Sequence, residues 1–302
     1  MLRRLALGLY DLPPALLALT TLFWAGNTIA GKLAVGEIAP FQLVFARWIL
    51  VAGVLWLLYG KELRAHWPTA RPRLREIVLM ASLGFTAFNG LFYLAALQTS
   101  AVNIGILQGA IPVFVLLMAY FAYGTRIGAV QVLGVALTLA GVVVVATAGS
   151  PFSLFTLGIG PGDGLMLLAC LFYGFYTTAL QRRPKIPGRA LFTLMSIIAA
   201  LTSLPFWLAE AVISAPPWPT PEGWAVTLYV AIFPSCLAQL FFLRGVDLVG
   251  PGPAGVYVNL VPVFSPLLAI LILGERFAGF HALSLALVLG GIWLAQRRAR
   301  SG

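Results

Sequence analysis

Charge is scarce in this chain. Only 9% of its 302 residues are Asp, Glu, Lys or Arg, against about 25% in a soluble domain. Acids are the scarcer sign, nine against 19 Lys and Arg, and all nine fall at the ends of apolar runs or between them. No carboxylate sits mid-run, which removes the buried acid that proton- and sodium-driven carriers often place there. Cysteine is limited to Cys170 and Cys236, both inside apolar runs, so neither a disulfide framework nor a zinc site is encoded and no cofactor is called for. Histidine is limited to His66, in an expected loop, and His281, at a run's start; neither makes a proton relay. There is no His-Glu-x-x-His and no nucleophile with a histidine beside it. The Gly-x-Gly-Asp at Gly160 to Asp163 has no second acid to share a proton with, because the one Tyr-Asp pair, Tyr10-Asp11, falls at the opposite end of the bundle. Asp163 is expected to stabilise the amino end of its own helix instead. These absences argue against an enzyme.

What is abundant is hydrocarbon. The sequence is 61% hydrophobic, too much for a soluble core to bury, so lipid is the solvent for much of it. Ten runs approach the ~20 residues that cross a bilayer as a helix: Pro13–Ala34, Pro40–Tyr59, Leu74–Leu97, Ala101–Ala122, Gly128–Thr147, Gly162–Leu180, Ala190–Ile213, Trp224–Leu243, Ala254–Leu273 and Gly279–Gln296. The first, with Arg3-Arg4 before it, is read as a retained helix rather than a cleaved signal. With the N-terminus in the cytoplasm, only Lys32 and Arg276 of the 19 basic residues fall outside and only Arg47 falls within a span. The net charge of +10 is therefore a membrane-orientation signal, not a nucleic-acid face. Trp67, Trp218 and Trp224 stand near span ends, as an aromatic belt predicts.

The chain also repeats. A shift of 150 positions lays Pro112-Val113-Phe114 on Pro262-Val263-Phe264, Gly124 on Gly274, Arg126 on Arg276 and Gly141 on Gly291. Five helices per copy is an odd number, so the second copy enters the membrane upside down. The expected fold is all-α: ten transmembrane helices in two inverted repeats, residues 13–147 and 162–296, with both termini cytoplasmic. The Gly-, Pro-, Ser- and Thr-rich stretch from Thr147 to Pro161 links them. A substrate site is expected near the midplane, where such halves meet.

Several stretches carry a resemblance to a known family: Phe23-Trp24-Ala25-Gly26-Asn27, Ala39-Pro40 with Arg47 beyond it, the paired Pro-Val-Phe, and above all Gly274-Glu275-Arg276 followed by a helix with Gly290-Gly291. On these the chain resembles the drug/metabolite transporter superfamily, EamA type, over about residues 13 to 296. That resemblance implies a ten-helix transporter of small metabolites, often an exporter. One departure is Thr125, where the family usually has a Glu equivalent to Glu275.

Candidate site residues follow from cost and pairing. Pro112 and Pro262 are expected mid-helix at matched places, where each removes a backbone hydrogen bond and kinks its helix; a plain packing kink is the other reading. Polar groups inside spans need a cavity or a partner, and Asn27, Asn89, Gln108, Gln239 and Asn259 are the candidates. Aromatics accompany them: Trp24 aligned with Tyr173, Tyr93 one turn after Asn89, Tyr176 near Tyr173, and Tyr257 near Asn259. The Gly105-xxx-Gly109 pair is read as close helix packing. For Arg47 two readings stand, a snorkelling or fold-supporting arginine and a functional one. Lys32 is placed near an outer mouth.

The expected function is transport of a small amphiphilic metabolite by alternating access across the cell's inner membrane, as an exporter or as a facilitator driven by the substrate gradient. An amino acid, aromatic among the possibilities, fits an expected neutral, polar and aromatic cavity. Phosphate-bearing cargo would require several cavity cations. The alternatives are a general drug or metabolite exporter, an intramembrane enzyme, and a receptor-like bundle with no central cavity. The expected partners are the small-molecule substrate and the lipid bilayer, without nucleic acid.

Overall fold

The computed structural model describes residues 12–125, 127–150 and 160–296. Arg3, Arg4, Tyr10, Asp11, Arg126, Arg297, Arg298, Arg300 and most of the expected inter-repeat linker lie outside the described residues. Within them every regular element is helical.

The helices are α1 (Pro13–Leu33), α2 (Pro40–Ala70), α3 (Leu74–Ala81, Ser82–Ala87 and Phe88–Ala96 in series), α4 (Ala101–Leu107, Gln108–Ala110 and Ile111–Tyr123) and α5 (Ala129–Ala146). After residue 160 come α6 (Pro161–Ala179), α7 (Gly188–Ser214), α8 (Pro221–Val230, Ala231–Leu237 and Ala238–Val249), α9 (Pro251–Val258 and Val261–Leu273) and α10 (Gly279–Ala295). Seven continuous helical runs are long and apolar enough to cross a membrane. One of them, Pro40–Ala96, has 57 residues, far beyond a single crossing. It reverses at the Arg71–Arg73 turn beside Pro72, so that Phe88–Ala96 packs back on α2. α1 is long enough at 21 residues, but Thr20, Thr21, Asn27 and Thr28 dilute its apolar character. α10, with 17 residues, is apolar and slightly short. Large apolar side chains such as Leu57 (85% exposed), Val212 (83%) and Phe121 (81%) point outward, as the lipid-facing side of spanning helices does. This is a multi-pass membrane protein.

α2 departs from expectation. It continues past Tyr59 to Ala70, so Lys61, Glu62, Arg64 and His66 are helical rather than in a loop. The His66 ring bonds the Glu62 carbonyl four residues back at 2.9 Å. The polar turns of α2 keep the helical hydrogen-bond ladder once the apolar stretch has ended.

Helix packing follows the 150-residue exchange. α2 packs on α7 and α5 on α10; α3–α6 is matched by α8–α1, and α1–α9 by α6–α4. The α5–α10 crossing shows why. A Cβ added at Gly134 would lie 2.6 Å from the Gly291 carbonyl oxygen, and one at Gly141 would lie 2.8 Å from the Ser284 carbonyl oxygen. The Ser284 hydroxyl donates to the Gly141 carbonyl at 2.6 Å. Small residues let the backbones touch. Gly105 and Gly109 have the same role, against Ser265–Pro266 and Val288.

Carboxylates tie helix ends across the sequence. Glu210, at the end of α7, accepts the Phe41 and Gln42 N–H groups at the start of α2 (3.1 and 2.9 Å). Glu275, before α10, accepts the Ala101 and Val102 N–H groups at the start of α4 (both 2.9 Å). Each satisfies orphan donors of a helix amino end and meets its positive pole. Asp163 stands in the first turn of α6, the amino end it was expected to stabilise, without a side-chain cap bond there. It reaches across to the Thr99 hydroxyl (2.6 Å) and the Asn103 amide. Lys32 guards no mouth: its Nζ donates to the Ala96 and Thr99 carbonyls at the end of α3 (2.8 and 3.0 Å).

Candidate functional site

Four helix interruptions surround the centre of the bundle, in two matched pairs. α3 contains a π turn at Ser82–Ala87 and α8 one at Ala231–Leu237, related by the repeat shift. Such turns leave carbonyls without their usual partner and often mark functional sites. α4 contains a 3-10 turn at Gln108–Ala110 and α9 breaks at residues 259–260. The expected mid-helix prolines are placed differently: Pro112 and Pro262 each stand in the first turn of the segment after the break. There a missing N–H costs little, so proline restarts the helix instead of bending a continuous one.

Side chains collect the freed carbonyls. Trp24 Nε1 donates to the Pro234 carbonyl inside the α8 π turn at 3.2 Å. Asn89 Nδ2 donates to the Phe85 carbonyl inside the α3 π turn at 2.6 Å. The Ser235 hydroxyl donates to the Val230 carbonyl.

Between these elements lies a cavity of about 850 Å³, counting its open mouth. Of the expected site residues Trp24, Asn27, Asn89, Gln108, Tyr173, Gln239 and Asn259 line it, with both Pro112 and Pro262. Gln108 bonds Thr28 at 3.3 Å, and Thr28 bonds Ser265 at 3.3 Å, joining α1, α4 and α9. The Gln239 and Asn259 side chains have no hydrogen bond among the described residues. Tyr93 and Tyr176 are buried behind the wall rather than on it. Tyr93 OH donates to Asn27 Oδ1 at 2.9 Å, and Tyr176 packs edge-on to Phe85 and Tyr173. Tyr257 is not part of the lining.

The expectation of a neutral cavity is corrected by Arg47. Arg47 lines the cavity while only 5% exposed. Nε donates to Ser235 Oγ (2.5 Å), and Nη1 reaches Asn89 Oδ1 (2.6 Å), Tyr93 OH (2.8 Å) and Asn27 Oδ1 (3.3 Å). All four partners are neutral, and among the described residues no Asp or Glu lines the cavity. The guanidinium carbon lies 5.2 Å from the Trp48 ring centroid, and Trp48 stacks on Phe85 at 4.6 Å. Sequence reasoning did not assign Trp48, Phe85, Phe88, Phe192 and Ser235 to the wall. Only Arg47 carried a signal, as the lone charge inside a span.

A lipid-embedded helical bundle enclosing a polar and aromatic chamber at paired helix breaks has the architecture of a small-molecule carrier. The EamA-like transporter family model matches residues 13–147 and again 160–296, and the chain belongs to that family. It is a transporter. It is similar to an uncharacterized transporter of Archaeoglobus fulgidus (30% identical, 92% of this chain and 95% of that protein). It is also similar to the uncharacterized transporter YetK of Bacillus subtilis (26%, 89% and 82%). The aromatic amino acid exporter YddG of Ancylobacter novellus is 24% identical over 92% of this chain and 95% of its own length. A crystal structure shares the fold with a TM-score of 0.63 at 21% identity, covering 93% of this chain and 95% of the other.

Proposed function

We propose that the protein moves small amphiphilic metabolites, amino acids and aromatic ones among them, across the cell's inner membrane. It does so by alternating access of two inverted five-helix copies, with both termini in the cytoplasm. The observation that carries the proposal is the cavity wall. Trp24 and Tyr173 face it from repeat-related helices, Phe85 and Phe88 add flat apolar surface, and Gln239 and Asn259 offer unengaged amides. Flat aromatic surface suits an apolar side chain and neutral amides suit a polar head. The aromatic amino acid specificity in the name of one relative is consistent with this wall. With no acid in the lining among the described residues, the substrate gradient drives the cycle, which fits an exporter or facilitator. The paired interruptions support alternating access, because each copy brings equivalent breaks to the centre.

The test is counterflow in proteoliposomes loaded with unlabelled L-phenylalanine, with labelled phenylalanine outside. Accumulation above protein-free vesicles is expected. No accumulation of phenylalanine, leucine or tryptophan, together with efflux of unrelated lipophilic cations, would replace this reading with a general drug exporter.

A further inference from the structure

Among the described residues Arg47 is the one charged group in the cavity wall, and none of the others neutralises it. A buried charge without a counter-ion is unfavourable unless something else satisfies it. Its four partners supply hydrogen bonds but no negative charge.

The partners also determine how the guanidinium is presented. The Ser235 hydroxyl spends its hydrogen on the Val230 carbonyl, so it meets Arg47 Nε as an acceptor. The Asn89 amide nitrogen is committed to the Phe85 carbonyl, so the Asn89 oxygen is turned to Nη1. Both anchors come from the π turns or lie directly after them, so the matched helix defects aim the arginine. Nη2 has no hydrogen bond among the described residues. Among the described residues the fully buried, unpartnered side-chain atoms are Gln42 Oε1 and Trp48 Nε1. Nη2 therefore keeps open surface, and what Arg47 opens onto is the cavity.

We propose that Arg47 is the carboxylate anchor of the transport site and sets a preference for monocarboxylates. Nη2 presents two N–H donors to one carboxylate, a charge-assisted contact. The substrate's apolar part lies against Trp24, Phe88 and Tyr173. One cation with no second Lys or Arg in the wall matches one negative charge, so phosphate dianions are disfavoured. The shift of 150 places Ile197 opposite Arg47, so there is one such anchor and not two. This inference rests on the cavity being the transport site.

The experiment separates the two readings by measuring binding and flux on the full chain. In detergent, the change in intrinsic fluorescence on adding ligand is read, with Trp24 and Trp48 the two of the chain's eight tryptophans that lie in the wall. The probes are 3-phenylpropionate, which has the carboxylate and no amine, and phenethylamine, which has the amine and no carboxylate. Wild type is expected to bind 3-phenylpropionate at least tenfold more tightly than phenethylamine, and Arg47→Gln is expected to lose that preference. Ser235→Ala, which frees Nε without touching the charge, is expected to weaken 3-phenylpropionate and spare phenethylamine. Equal binding of the two probes by wild type, or binding of neither, overturns the anchor whether or not Arg47→Gln folds. So does an Arg47→Gln protein that keeps the preference, as a merely fold-supporting arginine would allow. Carboxylate-selective binding with no amino-acid counterflow would sink the proposed function and leave the anchor standing.

Discussion

Asn89 holds Arg47 from one side and the α3 backbone from the other. Its oxygen accepts from Nη1 at 2.6 Å while its amide nitrogen donates to the Phe85 carbonyl at 2.6 Å. The residue is 3% exposed, so neither bond is exchanged for water. Asn89→Asp places a carboxylate where the neutral oxygen now sits and gives the guanidinium an internal counter-ion. It also sets an oxygen against the Phe85 carbonyl where the amide N–H now donates, so the expected outcome is a thermal midpoint in detergent no higher than wild type, with counterflow reduced at least tenfold. Asn89→Leu strips the guanidinium of an acceptor and should lower the midpoint as well, by about 1–3 kcal/mol of stability.

Gln239 tests the wall without testing the scaffold. Its side chain lines the cavity and has no hydrogen bond among the described residues. Gln239→Leu should leave the thermal midpoint within error and depress uptake. Wild-type uptake in this variant would take Gln239 out of the substrate's path.

Glu210 is a cap supplied by one helix to another. Glu210→Ala leaves the Phe41 and Gln42 N–H groups without their acceptor, which should cost about 1 kcal/mol, within the ~0.5–2 kcal/mol range of lost helix caps. Chemical denaturation in mixed micelles measures it, and Glu210→Gln, keeping one acceptor, should recover part of the loss.

Gly290 and Gly291 are neighbours with opposite tolerance. A Cβ at Gly291 would meet the Thr138 hydroxyl and the Gly134 carbonyl (2.6 Å), whereas at Gly290 it meets nothing within 4 Å. Gly291→Ala should force α5 and α10 apart and reduce folded yield, judged by monodisperse elution in size-exclusion chromatography. Gly290→Ala should behave as wild type.

Orientation is read by impermeant maleimide on single cysteines in a background where Cys170 and Cys236 are replaced. Arg64→Cys and Lys185→Cys should label from one face of the membrane and Arg276→Cys from the other. Labelling of Arg64→Cys and Lys185→Cys from different faces would remove the inverted arrangement.

Much of the helical layout was legible because apolar run length and bilayer thickness set the same scale. The expected start of α3 at Leu74 and end of α9 at Leu273 agree with the observed helices. The polar extension of α2 to Ala70 was not legible, since hydropathy ends at Tyr59 and helicity does not. The paired prolines pointed to the right depth but not to the right geometry: a proline that kinks a helix and one that restarts it have the same sequence. Asn89 and Gln239 reached the wall because a polar group in hydrocarbon has few other places to go. Tyr93 and Tyr176 did not, because helical spacing gives a face, not which neighbour covers it. The π turns were not read as a pair, because Pro234 marks the second while Ser82–Ala87 has no proline to match it. Without them the meeting of Arg47 with Ser235, 188 residues away, had no trace in either helix alone.

The Glu275 clasp on Ala101 and Val102 has no twin among the described residues. At the matching corner Thr125 replaces the acid, and the helix start it would serve begins with Pro251, which has no amide hydrogen to give. The acid is therefore missing together with one of its two donors, since of the matching pair only Gly252 has an amide hydrogen. The two ends of the duplicated frame are unequally fastened: parting one sacrifices a pair of charged hydrogen bonds, while the other swings without that toll.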